Sequence, residues 1–118
     1  MIDEDTAKQI LKYTDGVKLD TETKEDYDKT TDTVKLEEVD DFYNDTRSYV
    51  ETIMYRPLSE LKTNDKKSVE IAIYKLTAIQ MIDKETGESG TRLDNSRELE
   101  SQAMKVINSF KAEGLYAL

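Results

Sequence analysis

The chain has 118 residues, of which 26 are Asp or Glu and 17 are Lys or Arg, so its net charge is -9. Its length fits one domain, since domains cluster at about 100 to 150 residues. The lack of cysteine and histidine excludes disulfides, thiolate nucleophiles, histidine-dependent triads and imidazole metal sites. We expect a single domain over residues 1–118 that is not an enzyme and uses no catalytic residue, metal or cofactor.

A short helix is predicted at the N-terminus, from Glu4 to Tyr13. Ala7, Ile10 and Leu11 recur at helical spacing, and acidic residues occupy the first turn. Residues 14–33 break this pattern, because they are rich in Asp, Glu and Thr and contain few large apolar side chains. Connections longer than about 12 to 15 residues are usually functional or disordered. We therefore predict an acidic loop or arm that becomes ordered on a partner.

A long amphipathic helix is predicted next, from about Val34 to just before Pro57, since the residue preceding a proline avoids helical geometry. Its apolar stripe consists of Val39, Phe42, Tyr43, Thr46, Tyr49, Val50, Ile53 and Met54. Polar residues fill the opposite face, namely Asp40, Asp41, Asn44, Asp45, Arg47, Ser48 and Glu51. For the tyrosines at positions 43, 49 and 55 we favour core packing, and the alternative is a role in an interface, where tyrosine is common.

The third helix is predicted from Lys66 to Ile82, with Asn64 or Asp65 as its cap. Apolar residues cover nearly every side of this segment, so we expect it to be the most buried helix. A polar loop is predicted from Asp83 to Thr91.

The last helix is predicted to begin at Asn95, because Asn95 and Glu98 have the spacing of a capping box. Gly114 is predicted to end it, which leaves Leu115 to Leu118 as the apolar end of a C-terminal tail, residues 112–118. The predicted fold class is therefore all-α, a small bundle of about four helices with a long acidic loop between helices 1 and 2 and an extended C-terminal tail.

The negative charge is unevenly distributed along the chain. Residues 1–48 have a net charge of -8 and residues 49–118 a net charge of -1. Such asymmetry indicates a negative electrostatic field around the first 48 residues. A molecule that meets this region is either basic and attracted or acidic and repelled. The alternative is a solvated acidic loop without a partner.

Other classes of site find little support in the sequence. Carboxylate pairs are too abundant to single out one pair, and a general acid needs a partly buried site with a raised pKa. No stripe of Lys and Arg with interleaved aromatic residues is present for nucleic-acid binding.

No apolar run approaches the about 20 residues of a membrane span, and the start of the chain is acidic. We expect a soluble, cytoplasmic protein without a membrane partner.

A helix, a turn and a buried helix follow one another between Val39 and Ile82. The first helix carries aromatic and small residues and leads through Tyr55-Arg56-Pro57-Leu58 into the apolar stretch Val69 to Met81. This arrangement resembles the head-tail connector (adaptor, or head completion) proteins of tailed bacteriophages. The likeness continues loosely through a polar loop to the closing helix, Asn95 to Lys111. Members of that family often have glycine where this chain has Tyr55.

The resemblance implies a mechanical function without catalysis. Such proteins form a ring, usually of twelve subunits, beneath the portal protein. The ring extends the DNA channel and presents a platform for stopper or tail proteins, which places the chain in the neck of the virion after assembly in the host cytoplasm. The C-terminal segment of the family reaches toward the portal. The matching residues here are Phe110, Leu115, Tyr116 and Leu118.

The resemblance also gives the acidic residues a purpose. A negatively charged channel wall repels phosphates, so that DNA slides through without specific binding. The candidates for facing the channel are Asp20, Glu22, Glu25, Asp26, Asp28, Glu37, Glu38, Asp40 and Asp41.

Two other classes of function stay open. An acidic protein that mimics DNA would inhibit a nucleic-acid-binding protein, and it would present carboxylates on a rigid surface. A small helical regulatory adaptor would be a stable monomer or dimer.

Overall fold

The computed structural model of the chain describes residues 1–14, 16–20, 33–86 and 90–111, with the backbone alone for 83–86 and 90–95. Within these residues it confirms the predicted all-α bundle of four helices. The helices are α1 (Glu4–Leu11), α2 (Leu36–Met54), α3 (Thr63–Thr86) and α4 (Gly90–Ser109). A short 3₁₀ helix, Leu58–Glu60, lies between α2 and α3.

Helix α1 begins as predicted and ends two residues before the predicted end. The Asp3 carboxylate caps it by accepting a hydrogen bond from the Thr6 amide over 2.7 Å. Hydrogen bonds from the Thr6 side chain, first, and from the Thr6 amide hold the pKa of Asp3 below its ordinary value. Beyond Leu11 the chain continues in turns, in which the Tyr13 amide donates to the Ile10 carbonyl over 3.1 Å. One face of α1 is buried, as its apolar spacing predicts.

Two very short strands lie in the predicted 14–33 loop, one near its start and one across its end, and the sequence did not reveal them. Strand β1 (Lys18–Leu19) pairs in parallel with β2 (Thr33–Val34), with Leu19 opposite Val34. Both of these side chains are buried, whereas Lys18 and Thr33 are exposed. The two ends of the predicted 14–33 loop therefore lie side by side. Position 15 and residues 21–32 of that loop lie outside the described residues.

Helix α3 is central, as its apolar composition predicts, and packs against α1, α2 and α4. The largest fully buried side chains come from α1, α2, the 3₁₀ helix, α3 and α4, so they form one shared core. They include Ile10, Val39, Val50, Met54, Leu58, Val69, Ile73 and Ile107. Ile71 is the exception on α3, since its side chain is 44% exposed.

The predicted core role of the tyrosines is right for Tyr43 and wrong for the other two. Tyr43 is buried, and its ring centroid lies 6.2 Å from that of Tyr74. Burial raises the pKa of both hydroxyls. Tyr49 and Tyr55 are 56% and 55% exposed. The buried stripe of α2 passes through Thr46 and Val50, so Tyr49 falls on its solvent side.

The boundaries of α3 and α4 differ from the predictions. Helix α3 begins at Thr63, so Asn64 and Asp65 lie in its first turn. It continues to Thr86, and α4 begins at Gly90, so Asn95 lies inside the helix and does not cap it. The predicted polar loop from Asp83 to Thr91 is therefore helical at 83–86 and at 90–91, while residues 87–89 lie outside the described residues. Lys84 and Glu85 are good helix formers, which favours the extension of α3. Helix α4 ends at Ser109, ahead of Gly114, which lies outside the described residues.

Candidate assembly surface

The turn that ends α2 contains a residue in a left-handed conformation. Tyr55 has φ 60° and ψ 24°, and its amide donates to the Thr52 carbonyl over 3.3 Å. Side chains with a Cβ adopt this region infrequently, because the Cβ approaches the carbonyl oxygen. The next residue, Arg56, precedes Pro57, so the chain cannot easily resume the helix there. Both effects fix the end of α2 at Met54.

Glu51, in the last part of α2, forms a hydrogen bond with the turn that follows this helix. Its Oε2 accepts a hydrogen bond from the Leu58 amide over 2.7 Å, and its Oε1 lies 3.6 Å from the Arg47 Nε. The Leu58 side chain is completely buried. An amide left unpaired in such a position costs about 1 to 3 kcal/mol. Glu51 therefore determines where the 3₁₀ helix begins relative to α2.

Arg56 connects the same turn to the end of α4. Its Nε donates to the carbonyl oxygen of Phe110 over 2.9 Å in a partly buried environment. The last carbonyl groups of a helix lack partners within the helix and carry its partial negative charge, so a guanidinium is a favourable donor. The Phe110 ring packs against the core, and its amide donates to the Ile107 carbonyl over 3.1 Å. Arg56 thus holds the end of α4 at the turn.

This contact brings together two features that the sequence presents separately. Phe110 belongs to the predicted partner-binding tail, and Arg56 belongs to the motif that carries the resemblance. The other predicted tail residues, Leu115, Tyr116 and Leu118, lie outside the described residues.

The acidic residues predicted to face a channel fall into three groups. Asp20 is exposed just after β1, and Glu37, Glu38 and Asp41 are exposed on α2. Asp40 is half-buried. The remaining candidates lie outside the described residues, namely Glu22, Glu25, Asp26 and Asp28.

Asp40 has a structural role that the sequence did not reveal. Its Oδ1 accepts a hydrogen bond from the Ile2 amide over 2.8 Å, and its Oδ2 accepts one from the Asn44 side chain over 3.2 Å. The first bond joins the segment before α1 to α2 across 38 residues of sequence. No local pattern indicates a main-chain partner so far away.

The outward face of α2 is divided into an acidic half and a second half in which the charged residues, Arg47 and Glu51, are partly buried and paired with each other. Four exposed carboxylates lie in the first half, at Glu37, Glu38, Asp41 and Asp45. The exposed residues of the second half are uncharged, and they are Ser48, Tyr49 and Thr52. This second half leads directly to Tyr55 and the turn. Tyrosine is enriched at protein interfaces, so the exposed Tyr49 is the feature of this half that favours an interface.

The described part of the chain shows neither a metal site nor a membrane span. No group of three or more acidic side chains there is arranged to hold a metal ion. No helix in that part has both the length and the apolar character needed to cross a membrane. Comparison of the chain with protein-family models, with curated proteins and with solved structures finds no match.

Proposed function

We propose that the protein is a structural subunit of the neck of a tailed bacteriophage. Copies of the chain form a ring beneath the portal protein, extend the DNA channel and connect the head to a stopper or tail protein. This proposal rests on the resemblance of the segment from Val39 to Ile82, and it requires no catalysis.

The observation that carries the proposal is the hydrogen bond from Arg56 to Phe110. The resemblance assigns the Arg-Pro-Leu turn to the body of a connector and the C-terminal end to portal binding. In this chain the arginine of the turn holds the residue from which that C-terminal end departs. If the tail of a ring subunit binds a partner, holding the start of the tail in place strengthens binding, because the tail then loses less conformational entropy.

The conformation of Tyr55 gives a second line of support. Members of the resembling family often have glycine at this position, and Tyr55 has the positive φ that glycine adopts without strain. Tyr55 therefore differs from glycine in residue type but has the backbone geometry that glycine favours.

The acidic half of α2 fits the channel role in electrostatic terms. Glu37, Glu38 and Asp41 are exposed on one rigid helix, and repeated around a ring they would present a wall that repels phosphate groups. Asp40 contributes less to that wall, because its carboxylate is occupied by the Ile2 amide and Asn44.

The test is co-expression with the portal protein encoded nearest to its gene, followed by mass measurement and cryo-electron microscopy. We expect a ring that binds the portal, with acidic α2 residues facing the lumen. A monomer that ignores the portal would overturn the proposal. A ring with all of these carboxylates on its outer surface would overturn the channel role alone.

The tail offers a matched pair of variants for the same assay. Replacing Leu115, Tyr116 and Leu118 together by serine is expected to abolish portal binding while leaving the domain folded. Ala117→Ser is the control, because it lies in the same segment and removes little apolar surface. Equal binding by both variants would exclude the tail as the portal contact.

A second candidate function has one observation in its favour. The four carboxylates of the acidic half of α2 lie on a rigid helix, as expected of a protein that mimics DNA. This candidate predicts a monomer that displaces DNA from a nuclease or repressor, and the mass measurement separates it from the connector.

A further inference from the structure

A cleft of about 400 Å³ lies between α1 and β1. Its floor is apolar and consists of Leu11, Val17 and Leu19, all of them buried. Its rim consists of three exposed lysines, Lys8, Lys12 and Lys18. We call this surface the lysine cleft.

The rim of the lysine cleft is positively charged, although the region of the chain that contains it is negatively charged. Residues 1–48 have a net charge of -8, yet three exposed lysines line one small apolar surface. The Lys12 ammonium also lies 5.2 Å from the centroid of the Tyr13 ring. Lys8 lies on α1 and Lys12 follows directly after the end of that helix. The two are one turn apart, about 6 Å along the helix axis, where like charges repel. An anionic partner relieves that repulsion, and an apolar group at its centre covers the floor.

The chain itself has a surface with the complementary composition. A depression of about 200 Å³ on α2 is bordered by Glu38, Asp41 and Asp45, with Phe42 among them. The three carboxylates occupy one side of α2 over about 10 Å of its length. We call this surface the acidic row. It places three negative charges around an aromatic side chain, as the lysine cleft places three positive charges around an apolar floor.

We propose that the lysine cleft of one copy binds the acidic row of a second copy. The two surfaces are different patches, so the contact is head-to-tail and leaves one free surface at each end. Such contacts continue until they close into a ring or extend as a filament. This inference rests on the proposed function in requiring copies of the chain to associate. It places Glu38 and Asp41 in the contact between copies, which leaves Asp20 and Glu37 as the exposed candidates for the channel wall.

An apolar group among the carboxylates favours a second copy over a nucleic acid as the occupant. Both occupants meet the field of a chain with a net charge of -9, but a phosphate backbone offers no apolar group to the floor of the cleft. The acidic row supplies three carboxylates, one for each lysine, together with an apolar centre.

The experiment reverses each surface separately and then mixes the two variants. One variant carries Lys8→Glu, Lys12→Glu and Lys18→Glu, and the other carries Glu38→Lys, Asp41→Lys and Asp45→Lys. Sedimentation at low ionic strength should show self-association of the natural chain, and association at least about tenfold weaker for each variant alone. An equimolar mixture should associate again, because the reversed surfaces complement each other. Added salt should weaken every association.

The matched control replaces three exposed lysines outside the cleft, with Lys62→Glu, Lys67→Glu and Lys105→Glu. It changes the net charge by the same amount as the cleft variant and should still associate with the natural chain's affinity. Circular dichroism establishes that each variant is folded. A natural chain that stays monomeric at low ionic strength, or a mixture that does not associate, overturns the inference.

The results also separate this inference from the proposed function. Rings that bind the portal equally well after either charge reversal would overturn the head-to-tail contact and leave the connector role intact. Association restored in the mixture, without any binding to a portal, would support the contact and overturn the connector role.

Discussion

The Arg56 Nε and the Phe110 carbonyl oxygen lie 2.9 Å apart, although 54 residues separate them in the sequence. The bond joins the turn after α2 to the end of α4, so the C-terminal ends of these two helices lie close together. Arg56 reaches Phe110 from a turn whose geometry Tyr55 and Pro57 fix. The start of the C-terminal segment is thereby coupled to the conformation of that turn.

Arg56→Ala is expected to lower the free energy of unfolding by about 1 to 3 kcal/mol, since it removes a hydrogen bond from a charged donor. Hydrogen exchange at the end of α4 should become faster. Urea denaturation and exchange mass spectrometry measure both effects. Arg47→Ala is the control, because the Arg47 pair with Glu51 is a half-exposed i,i+4 contact worth about 0.5 kcal/mol. Equal effects of the two variants would show that the Phe110 contact adds no more stability than an exposed ion pair.

Glu51→Ala is expected to destabilise the chain by about 1 to 3 kcal/mol, because the Leu58 amide loses its acceptor in a poorly hydrated position. Glu51→Gln keeps an acceptor oxygen and should lose less than half as much. The comparison uses urea midpoints of the two variants. If Gln and Ala are equally destabilising, the charge of Glu51 matters and its hydrogen bond to Leu58 does not.

The sequence was sufficient for the four helices because their apolar spacing is long and regular. It was insufficient where the burial of a single residue, or a contact with a residue far away in the sequence, determines the structure. Tyr49 fits a 3-4 spacing, but the buried stripe of α2 passes through Thr46 and Val50 instead. The pairing of Leu19 with Val34 involves two residues per strand, which is too few for any periodicity to show.

The candidate surface shows the same limit. The Arg-Pro-Leu turn could be recognised because proline dictates local geometry. Its contact with Phe110 depends on how α4 packs, which local sequence does not determine. The lysine cleft combines α1 with β1, and the short strand was itself not predictable.

The left-handed conformation of Tyr55 predicts an order of stability for substitutions at this position. Tyr55→Gly should raise the free energy of unfolding by up to about 1 kcal/mol, since glycine takes a positive φ without steric cost. Tyr55→Asn should be close to the natural chain, and Tyr55→Val should be the least stable, because β-branching disfavours this region. Thermal unfolding of the three variants measures the order. A valine variant as stable as the glycine variant would contradict the assigned conformation.

Asp40 and Asp41 are neighbours with different expected roles. Asp40→Ala should destabilise the chain by about 1 to 2 kcal/mol, because the Ile2 amide loses its acceptor and the segment before α1 is released. Asp41→Ala should change stability by less than about 0.5 kcal/mol, as usual for an exposed residue. Urea denaturation measures both, and limited proteolysis near the N-terminus should accelerate only for Asp40→Ala. Equal stability of the two variants would contradict the structural role of Asp40.

The buried tyrosine pair predicts a loss of stability in alkali. Burial, followed by the nearby charge of Glu70, raises the pKa of Tyr43 and of Tyr74 above 10.0. The folded state therefore retains these protons more strongly than the unfolded state. Their contribution to stability is complete below pH 10.0 and is lost as the pH rises through the raised folded-state pKa.

The test compares the natural chain with the double variant Tyr43→Phe/Tyr74→Phe by urea denaturation between about pH 9 and pH 11. Phenylalanine cannot ionise, so the double variant should lose less stability over this range, although lysine titration affects both chains. Tyr49→Phe is the control, since Tyr49 is exposed on the solvent face of α2, and it should follow the natural chain. Parallel curves for the natural chain and the double variant would show that ionisation of the buried pair does not limit stability in alkali.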